Sequence, residues 1–550
     1  MLKDHMKVQQ LNTSFSQLQS ERSEFEPLWK ESAKFLLPKR YYTLYTERRE
    51  QGKHLNSSIL DETGLLAART CAAGLLSGMT SPARPWFSVT VPTRTSRDLS
   101  WDEKKWLSDV EELLQFTFSQ SNYYLSKAVG FLDLVVFGTS AKIIYEDPDT
   151  VIRTSVIPCG EYFLNTNNKG EVDQLYREFQ MPVRSIVQEF GINNVPYQIK
   201  DAYQDANHAR MLNNYVVRHV MQPSNNPNMP WEECYWTTVD SETIMRHAVF
   251  HEKPFTATRW DVLNERESYG RSLGMDAIAA VKQVQHEAKV KAQGLDKQVK
   301  PPMLVDTMLK NSADNLAIPG SLTFVSGLSN VSGARSAYDV RFDLNALSAD
   351  IEMVQKRIKE IFFVDLFLMI SQLDTVRTAT EIDARREEKL LQLGGVFDRM
   401  QREELQPDIE RTYAILERRG LIPPPPDTLV DTPIQVKFVS VLSDAQQAVS
   451  TIAIERTLAM AGNMAAVWPS VVDTINEDEA ISIYAERLRI PPEILNSAET
   501  IKQLRTQRAQ QQQMAQGVEM AQGGAQAAKL LSETDVGGGK SAFQQMVSGI

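Results

Sequence analysis

Histidine and cysteine are scarce here, seven and three in 550 residues. Cys71, Cys159 and Cys234 stand far apart with no CxxC spacing, so neither a disulfide framework nor a zinc ribbon is expected, only buried free thiols in a reducing compartment. There is no HExxH and no GxSxG elbow, and so few histidines leave little material for histidine-based catalysis. No apolar run reaches membrane-spanning length. The greasiest stretch, Ile361 to Ile370, has ten residues and contains Asp365, so it reads as a buried helix end. The start, MLKDHMKVQQLNTS, is polar, so no secretory signal is expected. A basic surplus is missing too: 59 Lys and Arg stand against 70 Asp and Glu, a net charge of −11. That argues against a dedicated high-affinity nucleic-acid binder, although it leaves room for a surface past which DNA slides without being gripped.

What remains is an ordinary globular balance, 42% apolar and 23% charged, over a length that calls for several subdomains. The first third reads as helical. Residues 20–37 end at Pro38, and Asp61 to Gly78 is rich in small residues that allow close helix–helix approach. SPARPWFSVTVP then switches to the alternation of a strand, and Trp101 to Gln120 and Ser126 to Phe137 return to helix. From Ala141 to about Glu267 short β-branched and aromatic segments alternate with Pro, Asn, Asp and Gly, with one helix near 182–190. The fold class expected is α+β, predominantly helical.

Residues 269–300 come next as a long helix with two stripes. Ile278, Val281, Val284, Ala288, Ala292 and Leu295 form one; Lys282, His286, Lys289, Gln293 and Lys297 form the other. Residues 271–300 carry six Lys or Arg against three Asp or Glu, locally basic in an acidic protein. By itself such a stripe is an ordinary solvated face. Residues 301–342 look like a small β or loop module. A second long helix opens near Asp343, with Leu344, Leu347, Ile351, Val354, Ile358 and Ile361 in heptad steps. From Thr378, a capping box with Glu381 starts another helix whose apolar face is interrupted at Gly394-Gly395. PPPP at 423–426 is a stiff spacer, 444–500 looks helical, and the Gln/Ala-rich tail beyond Thr500 is low-complexity, with 521–550 expected to be flexible.

Three motifs carry a bland reading. Gly539-Lys540-Ser541 imitates a phosphate-binding loop, but Thr534 stands where that pattern wants glycine. His247 and His251 are four apart in a segment that alternates like a strand, with no adjacent acidic or Cys set to complete a metal site. The pairs Glu387-Glu388 and Glu403-Glu404 sit among arginines and read as solvated helix faces. No catalytic residue, cofactor site or metal site is expected.

Several segments resemble one family in its order: RSEFEPLWKESAKFLLP (22–38), DETGLLAARTCAAGLLSGMTSPARPWFSV (61–89), NYYLSKAVGFLDLVVFGTSAKIIYED (122–147), SYGRSLGMDAIAAVK (268–282) and TATEIDARREEKLLQLGG (378–395). They are similar to the head-to-tail connector (portal) proteins of short-tailed, T7-like bacteriophages. The resemblance spans roughly residues 20–410 and is looser beyond about 430.

It implies a non-enzymatic, portal-like subunit with wing, stem, clip and crown regions, twelve to a ring at one capsid vertex. Residues 1–268 would be the wing, 269–300 and 343–368 the stem helices, and 301–342 the clip. Residues 369–380 would be the tunnel loop, 381–443 a long helix returning to the wing, and 444–520 the crown. In a ring the Lys282, His286, Lys289 and Lys297 stripe would become a belt around a DNA channel, with Arg377 a further contact and Gly394 and Gly395 a helix hinge. The implied partners are double-stranded DNA without sequence preference, the terminase packaging motor, major capsid and scaffolding proteins, and a tail adaptor or tubular protein. No membrane is implied; the place would be the virion, and the host cytoplasm during assembly. A non-catalytic virion scaffold or adaptor without a DNA channel is the rival reading.

Overall fold

The computed structural model describes residues 2–44, 59–92, 99–205, 208–240, 243–301, 303–306, 322–325, 334–336, 343–371, 393–430, 432, 435–438, 455–464, 468, 474–488, 494, 496 and 498–533. The chain forms two compact units, one of residues 1–90, 110–424 and 434–445, the other of 91–109, 425–433 and 446–550.

The first unit opens with α1 (Leu2–Arg22), ahead of the helix that the sequence pattern places at residues 20–37. Its apolar residues are few, but Val8, Leu11, Phe15 and Leu18 recur every three or four positions and are all buried. They pack on Phe163, Tyr176, Val220, Cys234 and Trp236 of a five-stranded antiparallel sheet. That sheet runs β4 (Tyr162–Thr166), β5 (Val172–Pro182), β6 (Asn214–Pro223), β7 (Trp231–Thr237) and β8 (Ile244–Phe250) in chain order. Val217, Tyr235 and Met245 face the other way, onto α6 (Val183–Phe190) and α7 (Tyr197–Gln204). Cys234 and Tyr235 thus enter opposite cores, as strand alternation requires.

A second sheet sets β2 (Thr139–Asp147) between β3 (Val151–Ile157) and β9 (Phe255–Arg259), all antiparallel. β2 is joined to α5 (Tyr123–Phe137) by Gly138 at φ 78, the left-handed helix cap that glycine supplies most cheaply. A Cβ there would lie 2.2 Å from the Gly270 carbonyl oxygen. α2 (Glu26–Leu36), α3 (Thr63–Met79) and α5 pack together beside α8 (Leu273–Val299). The small residues of α3 do allow close approach: a Cβ on Gly74 would meet the Phe367 ring at 2.3 Å, and one on Gly64 would meet Leu36 and Val281 at 2.9 Å. β1 (Phe87–Thr90) pairs with β13 (Gln435–Phe438).

The heptad helix is α9 (Leu344–Ile361), opened by Asp343, whose carboxylate accepts from the amides of Asn345 and Ala346. It does not run unbroken to residue 368. Phe363 adopts φ 52 and separates α9 from α10 (Val364–Ser371), whose Phe367 packs on Gly74 of α3. Between α8 and α9, β10 (Met303–Asp306) lies between β11 (Leu322–Val325) and β12 (Ala334–Ser336), strands within the module expected at 301–342. Residues 393–400 are helical, 401–405 form a π turn, and α11 (Gln406–Arg418) continues from it.

In the second unit residues 455–464 are helical, followed by α12 (Glu477–Leu488) and α13 (Ala498–Glu533). Arg505 of α13 pairs with Asp478 of α12 at 2.7 Å. α13 reaches Glu533, into the segment 521–550, whose later residues lie outside the described ones. Gly539, Lys540 and Ser541 lie outside the described residues. No described helix is long and apolar enough to cross a membrane.

Candidate nucleic-acid interface

The capping of α8 begins with Ser272, whose hydroxyl accepts from the Met275 amide at 3.0 Å and donates to the Val136 carbonyl at 2.8 Å. Burial then falls on one face and one half of the helix: Leu273, Gly274, Ala277, Ala280, Val281, Val284 and Gln285 are buried, and no later residue of α8 is. Of the apolar stripe read from the sequence, Leu295 is exposed, as are Val290 and Val299. On α9 the buried residues are Ile351, Val354 and Ile358, none of them before Ile351. Gln283 of α8 meets Arg357 of α9 at 3.4 Å, with the β10–β12 module joining the far ends, so the two helices run antiparallel.

A polar clamp ties them to the body. Gln285 accepts from the amides of Leu60 and Asp61 at 2.7 and 3.0 Å and donates to the Asp61 carbonyl at 2.6 Å. Gln355 of α9 donates to the Asp61 carboxylate at 2.6 Å. The exposed halves of α8 and α9 lie beyond this clamp, on the side of the small sheet.

The basic stripe falls on the α8 face away from the buried one. His286 and Lys289 are exposed and Lys297 is half-exposed. Lys282 is exposed too, yet its ammonium lies 2.6 Å from Glu31 of α2, so its charge is partly met within the chain. Arg377, Thr378, Glu381 and the Glu387-Glu388 pair lie outside the described residues. Gly394 and Gly395 are helical, and a Cβ on either would meet nothing within 4 Å. Close packing among the described residues therefore does not require them.

The Glu403-Glu404 pair corrects its sequence reading: it is not a solvated face. The Glu403 carboxylate accepts from the Arg259 backbone amide at 2.8 Å and from its Nη2 at 2.5 Å. Arg259 also donates to the carbonyls of Glu267 and Gly170 at 2.5 and 2.7 Å. Glu404 turns inward, where its Oε1 lies 2.8 Å from Lys127 Nζ and 2.7 Å from Lys142 Nζ. Asp408 Oδ2 lies 3.0 and 2.6 Å from the same two ammonium groups and accepts from the Tyr123 hydroxyl at 2.8 Å. All five side chains are buried. Two cations and two anions balance, the condition under which buried charge is tolerable.

Burial pushes the Glu404 carboxyl up, but Lys127 and Lys142 overcome it and hold the group at about 2. Lys127 is shifted down by burial, with Asp408 and Glu404 opposing. Lys142 is shifted up: burial works against it, and Asp408 and Glu404 prevail. The cluster fastens the π turn and α11 to α5 and β2. Nothing in the sequence marked Lys127 or Lys142, because a lysine in an apolar helix or strand shows no partner until the chain folds.

His247 is another correction. Among the described residues it does have an acid and a cysteine beside it: β7–β8 pairing sets it opposite Cys234, next to Glu232. His251 is separate, bonded to the Asn228 carbonyl at 3.1 Å. The three cysteines are buried, and none is in a disulfide.

The described residues thus combine two long paired helices, a small three-stranded sheet between them in the chain, and a mixed body of helices and sheets. The chain belongs to the family of bacteriophage head to tail connecting proteins, whose model matches residues 8–495. It is 35% identical over 539 residues to the portal protein of Salmonella phage epsilon15, covering 96% of this chain and 95% of that one. To the probable portal protein of Bordetella phage BPP-1 it is 35% identical over 536 residues, with 96% and 95% covered.

Proposed function

We propose that this chain works as a phage portal of the short-tailed, T7-like kind, one of twelve subunits closing a ring at a capsid vertex. Portal or head-to-tail connector function itself comes with family membership, and 35% identity over nearly the full length of a portal protein and a probable portal protein carries it. The finer assignments are our reading. α8 and α9 act as the stem, residues 301–342 as the clip, and the body through 268 as the wing. Residues 444–520 supply the crown, and residues 369–380 the tunnel loop.

One observation favours the stem reading: α8 and α9 are buried only near the body, while the outer half of α8 exposes Val290, Leu295 and Val299 to whatever lies alongside. Exposed apolar positions on a long helix call for a neighbour, and a heterologous contact that closes on itself builds a ring. The stripe of His286, Lys289 and Lys297, with Lys282 and Arg377, then faces the DNA channel. Contact there is with phosphate, without sequence preference. Motor and tail proteins dock at the clip, capsid and scaffolding proteins around the wing, and the complex resides in the virion.

Electron microscopy of the purified chain tests this. Closed rings with a channel wide enough for duplex DNA are expected. Rings with no such channel would favour the scaffold or adaptor reading, and monomers at high concentration would overturn self-assembly.

A further inference from the structure

Glu232 and Cys234 are two apart on β7, so they project from the same side of the sheet, and His247 pairs directly with Cys234 from β8. A carboxylate oxygen, the thiol sulfur and an imidazole nitrogen all lie within 4.8 Å of one another. Glu232 Oε2 and His247 Nε2 are already 3.1 Å apart. Ligand atoms of a tetrahedral zinc-type site stand roughly 3.3–3.8 Å apart, given bonds of about 2.0–2.3 Å. Small side-chain rotations close the trio to that size.

The position they surround already attracts a cation. Lys7 of α1 places its ammonium 2.8 Å from Glu232 Oε2 and 3.3 Å from His247 Nε2, and interacts with Cys234 as well. An outer layer orients the carboxylate: Gln222 donates to Glu232 Oε1 at 2.8 Å, and Tyr176 donates to Gln222 Oε1 at 3.2 Å. Such supporting bonds are what a metal site needs to hold its ligands in register. Cys234 is buried at the floor, while the His247 side chain is 46% exposed, so an ion can enter from solvent past the imidazole.

We propose that Glu232, Cys234 and His247 form a binding site for a zinc-type divalent transition metal, with Lys7 as the competing cation and a fourth position left to water. Thiolate, imidazole and carboxylate together suit zinc or cobalt rather than calcium or magnesium, which want oxygen alone. Binding the metal through the thiolate releases the thiol proton to solvent, and the Lys7 ammonium swings out, still protonated. The metal would pin β7 to β8 and free the first turns of α1 from the sheet.

Metal-free full-length protein titrated with Co2+ tests the site, because a thiolate ligand gives a sulfur-to-cobalt charge-transfer band. Wild type should show that band at one equivalent per subunit. His247→Gln, a change at an exposed position, should weaken binding by ~10-fold or more. Lys7→Met should tighten it, and Cys234→Ser should abolish the band. No band in wild type at millimolar cobalt would overturn the proposal. So would a band seen only in Lys7→Met, which would mark the trio as the lysine's own ion-pair nest. A band that survives Cys234→Ser would also overturn it by placing the metal elsewhere.

Discussion

Glu404 and Lys142 stand 262 positions apart in the chain and 2.7 Å apart in the fold, both out of reach of water. With Lys127 and Asp408 they make a closed square of charge that holds the π turn against α5 and β2. The turn sits just after the helical glycines. A π turn inserts one residue into a helix and so re-aims the next turn, which fits Glu403 and Glu404 serving different partners in succession.

Removing one corner leaves an uncompensated buried charge. Lys142→Met or Asp408→Asn should each cost about 3–5 kcal/mol, whereas the double variant should cost less than the sum. Denaturant unfolding of the four members of this cycle checks both statements. Additive losses would mean that the two groups do not act as a pair.

Glu404 also sets an acid limit. Its folded pKa of about 2 lies below the ordinary carboxylate value of 4.5. A depressed carboxyl contributes stability that is present above the unfolded pKa and is lost as pH falls through the folded one. The window is therefore about pH 4.5 down to 2, and the contribution is at most about 3 kcal/mol. Melting temperature tracked across that range should fall more steeply for wild type than for Glu404→Gln, which has lost the titrating group.

The glycines divide into two kinds. Gly74→Ala drives a methyl into the Phe367 ring and should destabilise by about 1–3 kcal/mol. Gly394→Ala with Gly395→Ala meets open space and should add about 1 kcal/mol of helix stability per site. If the pair is a hinge in a working portal, that stiffened protein should fold and assemble yet package DNA poorly. Thermal melts beside a packaging assay separate the two effects. Loss of soluble protein from the double alanine variant would mark a packed position instead.

Charge in the proposed channel calls for Gln at Lys282, Lys289 and Lys297. Assembly should be unchanged, and weak DNA retention should lose part of its salt dependence. Lys289 and Lys297 should account for most of the effect, since Lys282 is already paired with Glu31. Packaging and retention equal to wild type in the triple variant would sink the channel assignment.

Much of the architecture was legible because it rests on local pattern. Three- and four-residue steps marked α4 (Trp101–Gln120), α8 and α9, and short β-branched and aromatic segments marked the strands between Ala141 and about Glu267. Where local signal is thin the sequence is silent: α1 has four apolar anchors among glutamines and serines, and only the sheet beneath makes them a face. The break at Phe363 carries no glycine or proline to announce it.

By itself, then, the sequence determined the mixed class, the paired helices around a small module, the basic stripe and the family, since each depends on residues near one another in the chain or on wording shared with relatives. Only the tertiary structure decided which charges are buried, which lysine is already paired, and that a glutamate, a cysteine and a histidine share one face. Those relations depend on which strand pairs with which and in what register, over 15 positions for Glu232 and His247 and 262 for Lys142 and Glu404, and no spacing along the chain encodes such a meeting.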